Sequence, residues 1–139
     1  FNGGLGQAQL DWFKSVLENS KIKNERCFVF SHMPCHPCCC RPSGLIWNSE
    51  EVVTMMHTFP GTVACFISGH DHDGGYAMDE AGIHHIVLPA PLECAVGEVA
   101  YGHIKVQSSS LHPSFFEFNW TGKIPPSIYK WPSRMAFSI

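Results

Sequence analysis

The chain predicts an α/β domain whose second half turns to antiparallel β structure. Two short apolar runs, Cys27 to Ser31 and Val63 to Ser68, have the unbroken hydrophobicity of strands buried on both faces. Each follows a stretch with helical periodicity, and helix, strand, helix, strand is the order that builds a sheet with covered faces. Both runs end in a serine and lead into histidine, His32 after the first and His70 and His72 after the second.

From the N-terminus, Gln7 to Glu18 reads as an amphipathic helix. Leu10, Phe13 and Leu17 share one face, and Trp12 and Val16 widen it. The polar stretch Asn19 to Arg26 ends that helix and leads into the first strand. A loop from His32 to Gly44 then carries three prolines and four cysteines. A second helix starts at Asn48 or Ser49, with Glu50 and Glu51 in its first turn, where the helix dipole favours negative charge. It runs through Val52, Val53, Met55 and Met56 to His57, and Pro60-Gly61 closes it. After the second strand, Tyr76 to Met78 and Ile83 to Leu88 flank the turn Asp79 to Gly82 as a hairpin. Ala100 to Val106 alternates apolar and polar residues, and Leu111 to Phe118 does so less regularly, with Ser108 to Ser110 between them. Residues 1–120 are therefore expected to be folded together. Residues 121–139 form a proline-rich tail, packed over the domain or disordered.

At 139 residues the chain is long enough to bury a core, and 45% hydrophobic with 15% charged residues is a globular composition. A formal net charge of −3 gives no basic footprint for nucleic acid, although Lys123, Lys130 and Arg134 make the tail weakly basic. No apolar stretch approaches a membrane span, and no secretory leader is visible, so no membrane partner is expected. The first residue is Phe1 rather than methionine, so either an N-terminal part has been removed or the chain is a fragment, and a fragment is the expectation. The seven cysteines are odd in number and three of them, Cys38, Cys39 and Cys40, are adjacent. That layout suits reduced thiols better than a disulfide framework, and a cytoplasmic location is the expectation.

Nine histidines need sorting. His36, His57, His84, His85, His103 and His112 read as surface or satisfied core residues, because a ligand assignment needs matched partners. His32, His70 and His72 differ, since each lies just beyond a buried strand, among Gly and Pro residues, at the sheet edge where α/β proteins bind ligands. Two residues apart in an extended segment, His70 and His72 point the same way and can feed two neighbouring metal positions. Asp71 and Asp73 are candidates to orient the imidazoles, with a simple turn role the stronger reading of Asp73.

Ser31-His32-Met33-Pro34 followed by Gly69-His70-Asp71-His72 resembles the last two motifs of the calcineurin-like metallophosphoesterases. Phe1-Asn2-Gly3-Gly4 leading into Gln9-Leu10-Asp11-Trp12, then Leu45-Ile46-Trp47-Asn48 and the extension Asp73-Gly74-Gly75-Tyr76, resemble one branch, the manganese-dependent ADP-ribose/CDP-alcohol diphosphatases. The similarity runs from Phe1 to about Val106. It implies the C-terminal half of a metallophosphoesterase β-sandwich flanked by helices. It also implies two divalent metal ions, Mn foremost with Fe or Zn as alternatives, with His32 and His70 on one ion and His72 on the other. The implied reaction is hydrolysis of the diphosphate bond in a small nucleotide substrate, ADP-ribose or a CDP-alcohol. The superfamily takes its bridging Asp, a second Asp, an Asn and a catalytic His from motifs nearer the N-terminus. The residues before His32 contain neither Gly-Asp-x-x-Asp nor Gly-Asn-His. The acid/base residue is therefore expected outside the chain, and the 139 residues alone are expected to be inactive.

Trp47 is a candidate to stack on the substrate base, set against burial beneath the second helix. Glu93 and Cys94 follow another strand and can approach the site without an assigned role. Two other classes compete. Cys35, Cys38, Cys39 and Cys40, with His36 among them, resemble part of a structural zinc module, but no second Cys or His pair closes the tetrahedron. The third is an inactive truncated product.

Overall fold

Three parallel strands place their carboxyl ends at one edge of a four-stranded sheet, and that edge carries the histidines. The architecture comes from a computed structural model that describes residues 2–107, 115–122 and 134–138. The first sheet has the order β1-β2-β4-β3, from β1 (Cys27–Phe30), β2 (Val63–Ser68), β3 (Gly75–Met78) and β4 (His84–Val87). β1, β2 and β4 are parallel and β3 runs antiparallel to β4, as the hairpin reading expected. A second sheet, entirely antiparallel, is β5 (Ala100–Gln107), β6 (Phe115–Gly122) and β7 (Arg134–Ser138) in that order. Ser108 to Ser110, residues 111–114 with His112, and residues 123–133 with Lys123 and Lys130 lie outside the described residues. Of the expected tail, Thr121 and Gly122 continue β6, and residues 134–138 pair with it as β7.

Helices cover one face of the first sheet. Leu10, Phe13 and Leu17 of α1 (Gln7–Ile22) and Val52 and Met56 of α2 (Ser49–His57) pack with Val63, Phe66 and Ile83. Burying a side chain of Phe66's size is worth about 2–3 kcal/mol. On the other face Cys65, Ile67 and Ile86 meet Phe118 and Trp120 of β6. Val63 and Phe66, odd and even, share the helix face because the β1–β2 register skips Ala64. One extra residue of that kind reverses the side-chain alternation.

Several local expectations are corrected. β2 is buried throughout, but β1 is not buried on both faces: Cys27, Phe28 and Val29 are half-buried and Phe30 is 69% exposed. The reason is position, since β1 forms the edge of this sheet among the described residues. Trp12 does not join the helix stripe and is 57% exposed. α1 continues four residues past Glu18, because polar residues do not break a helix. It ends where Asn24 takes a left-handed conformation (φ 55°). Glu25 N–H then bonds Ser20 O at 2.8 Å and Asn24 N–H bonds Lys21 O at 3.2 Å, which satisfies the last carbonyls. Asn48 does stand before α2, but its side chain bridges to Leu5 N–H (2.9 Å) and Leu5 O (3.0 Å) and pins the N-terminal segment.

Burial on β4 has a pH consequence. His84 and His85 are both held down to about 4, chiefly by desolvation, and the bond from His85 to Asp79 opposes this without winning. A free imidazole titrates near 6.5, so between those values the unfolded chain binds more protons than the folded one. Their contribution to stability is complete above the unfolded value and is lost as pH falls towards 4. Unfolding free energies from chemical denaturation should drop across that window, by up to about 1.4 kcal/mol per pH unit for each histidine.

Candidate metal centre

β1 and β2 bring His32 and His70 together through the main chain. Ser31 N–H extends the β1–β2 ladder to Ile67 O at 3.0 Å, and Gly69 N–H bonds His32 O at 3.0 Å. The rings meet edge to face, with centroids 5.1 Å apart and His32 Nε2 3.2 Å from His70 Nδ1. Two imidazole nitrogens on neighbouring positions of one ion, each at about 2.1 Å, lie about 3.0–3.4 Å apart. The pair thus fits one shared divalent cation. His70 has a left-handed backbone (φ 65°), which is costly for a residue with a Cβ and tends to mark functional sites. Burial lowers its pKa, and the facing His32 and the nearby His72 add to this while Asp71 opposes it, which favours the neutral ring that has a lone pair to donate.

Two of the candidate ligands, His70 and His72, have a partner that fixes the tautomer. His70 Nε2–H donates to Asn2 Oδ1 at 2.9 Å, which frees Nδ1 on the side of His32. Asn2 is itself held by Ser43 O and Leu45 O. His72 Nδ1–H donates to Glu93 Oε1 at 2.8 Å, leaving Nε2 as its free donor atom. Carboxylate-to-imidazole contacts of this kind orient metal ligands and raise their basicity. Glu93 reaches His72 because Leu88 N–H bonds Ser68 O and Ala90 N–H bonds His72 O, which lays the segment after β4 beside the segment after β2. Glu93→Gln should weaken Mn2+ binding about 10- to 100-fold, read by titration calorimetry, with the fold intact because both side chains are exposed.

Asp71 does not orient an imidazole. It is buried and accepts both Arg41 N–H and Arg41 Nη2, each at 2.8 Å. Burial alone would raise its carboxyl, but the bonds from Arg41 outweigh this and hold it below the usual range. The pair fastens the end of the cysteine loop to the histidine loop. A cavity of about 220 Å³ lined by Arg41, Ser43, Gly44, His70 and Asp71 opens beside it. Trp47 is not buried beneath the helix: it is 76% exposed and lines a different groove, with Cys35, His36 and His57, that includes none of the three imidazoles.

The cysteine loop does not form the zinc module. All seven cysteines are free; Cys38 is exposed while Cys35, Cys39 and Cys40 are buried. Among the described residues, one group of His, Cys, Asp and Glu is tight enough for a single ion, and it is His36, Asp79 and His85, without a cysteine. His32, His70 and His72 do not form such a tight group among the described residues. The pairings of Asn2 with His70 and of Arg41 with Asp71 carried no signal in the sequence, because the partners lie far apart along the chain.

No protein-family model matches the chain. A search of curated proteins finds the manganese-dependent ADP-ribose/CDP-alcohol diphosphatase of Arabidopsis thaliana, 40% identical over 111 residues, which are 80% of this chain and 35% of that protein. The Homo sapiens protein of the same name is 32% identical over 137 residues, 99% of this chain and 38% of the relative. Among solved structures, a dimetal phosphatase from Danio rerio superposes with a TM-score of 0.79 at 33% identity, over 99% of this chain and 40% of that one. The chain is related to these diphosphatases. It spans about a third of the length of the curated diphosphatases it matches. The likeness covers both sheets, and the expected metallophosphoesterase sandwich is the fold observed.

Proposed function

We propose that this chain forms the C-terminal part of a two-metal phosphohydrolase that cleaves the diphosphate bond of nucleoside diphosphate-linked compounds, ADP-ribose and CDP-alcohols, with manganese as the resident metal. The observation that carries this reading is the pair His32 and His70, 3.2 Å apart at the ends of adjacent parallel strands, with the outer nitrogen of His70 tied to Asn2. His32 and His70 hold one ion and His72 the other. The two divalent ions held there would supply the positive charge that polarises a phosphoryl group and acidifies a water for hydrolysis.

This chain's residues prepare that chemistry. Asn2 and Glu93 fix which imidazole nitrogen faces inward, and Arg41 and Gly44 wall the cavity beside His70. Trp47 is exposed, but it lines a groove apart from the three imidazoles, so its stacking on a nucleobase requires the substrate to extend into that groove. Imidazoles alone leave the charge of two dications uncompensated, so the centre draws carboxylates from beyond these three residues, and the 139 residues alone hydrolyse little. No described helix is long and apolar enough to cross a membrane, and the free thiols suit the cytoplasm. The test is Mn2+-dependent release of nucleoside monophosphate from ADP-ribose and a CDP-alcohol by the natural full-length gene product. Absence of that hydrolysis overturns the reading.

A further inference from the structure

On the helix-covered side of the sheet, the β3–β4 hairpin turn holds a second convergence of donors. Asp79 is buried, and its Oδ1 accepts N–H bonds from Ala81 (3.0 Å) and Ile83 (2.8 Å). Its Oδ2 faces two imidazoles, His57 Nε2 and His85 Nε2, both at 2.9 Å. His36, from the cysteine loop, stacks on His85 with ring centroids 4.5 Å apart and planes 26° from parallel. One donor atom from each of His36, Asp79 and His85 lies within 4.8 Å of the others. A hydrogen-bonded network would need Asp79, His57 and His85. The third ring within reach is what such a network does not require and a metal does.

We propose that His36, Asp79 and His85 form a zinc site, with His57, which lies against Asp79 but outside that tight group, turning in as a fourth donor when the ion binds. Two or three imidazoles and one carboxylate are a usual donor set for Zn2+. On binding, each neutral ring gives a lone pair from one nitrogen and keeps its proton on the other, so no net proton leaves the imidazoles. The relocated protons have acceptors: His85 Nδ1 faces Cys35 Sγ at 3.8 Å, and His57 Nδ1 faces Glu80 Oε1 at 3.7 Å. His36 holds a long bond from Cys38 N–H, 3.3 Å, which yields to a stronger ligand. A groove of about 480 Å³, lined in part by His36, His57 and Glu80, gives the ion its path from solvent. The ion would join the cysteine loop, the end of α2, the hairpin turn and β4. Its role is therefore to stiffen the domain, and it shares no residue with His32, His70 and His72.

The test compares zinc retained after dialysis, and the rise in Tm on adding Zn2+, in the full-length protein and two variants. His36→Phe keeps the stacked ring and removes its nitrogens. It should bind this zinc about tenfold or more weaker and lose the Tm rise, while metal-free Tm and Mn2+-dependent hydrolysis stay those of the wild type. His70→Asn should keep the Tm rise. If His36→Phe does not fold, imidazole 15N spectra of the wild-type protein decide, with Zn2+ expected to shift His36 and His85. Wild-type zinc affinity in His36→Phe, loss of the Tm rise in His70→Asn, or unshifted His36 and His85 nitrogens would each overturn the site.

Discussion

His70→Asn should abolish Mn2+-dependent hydrolysis in the full-length protein, by roughly 10³-fold or more in kcat/KM, while leaving its stability within about 1 kcal/mol of the wild type. His70 has one nitrogen on Asn2 and the other 3.2 Å from His32, so its loss removes a donor atom and the contact that orients it. Asparagine is the informative replacement, because it tolerates the left-handed backbone at this position, whereas alanine would add a strain of about 1 kcal/mol. A loss of activity in His70→Asn with an unchanged melting profile therefore reports on the metal and not on the fold. Mn2+ titration in the same variant should show weakened binding. Activity near the wild-type level would remove His70 from the centre and with it the assignment of His32.

Gly75→Ala should destabilise the domain by about 3 kcal/mol, the upper end of what overpacking costs. A Cβ on Gly75 would overlap Cys39 O, a backbone atom that no side-chain rotation can move. The cysteine loop crosses the first residue of β3 at this contact, so the added methyl must push either the loop or the strand. The loop is held by the Arg41–Asp71 pair and β3 by its register with β4, which leaves neither free to give way. Urea denaturation should show a lower midpoint with an unchanged slope. A midpoint like that of the wild type would mean that the loop slides over β3 at little cost. Gly82→Ala is a useful comparison, since nothing lies within 4 Å of the added carbon there and only its left-handed φ of 79° opposes the change.

What was legible in the sequence was local. The continuous run Val63 to Ser68 matches β2 residue for residue, and the Asp79-Gly82 turn matches the hairpin, because strand hydrophobicity and turn chemistry are short-range signals. The two strand–histidine endings also placed His32 and His70 correctly at one edge, because parallel neighbours put their carboxyl ends side by side. Sheet position was not legible. Cys27 to Phe30 has the composition of an interior strand and lies at the edge of its sheet among the described residues, and exposed Phe30 shows the difference. Partners distant in sequence were equally hidden: Asn2 with His70, Arg41 with Asp71, and His36 with Asp79 meet only after the loops close. His36 and His85 looked like ordinary histidines for that reason, since nothing in their immediate neighbours announces a ligand.

The bond from Gly69 to the carbonyl of His32 fixes the spacing of the two backbones that carry the rings, and Asn2 sets the His70 ring on that frame. Interior side chains of β1 and β2 can therefore be exchanged for others of similar bulk without retuning the distance between the imidazoles. In a mutational library, substitutions at Val29 or Ile67 would be filtered by folding yield, and those that fold would keep their affinity for manganese. Such a division lets stability evolve separately from chemistry.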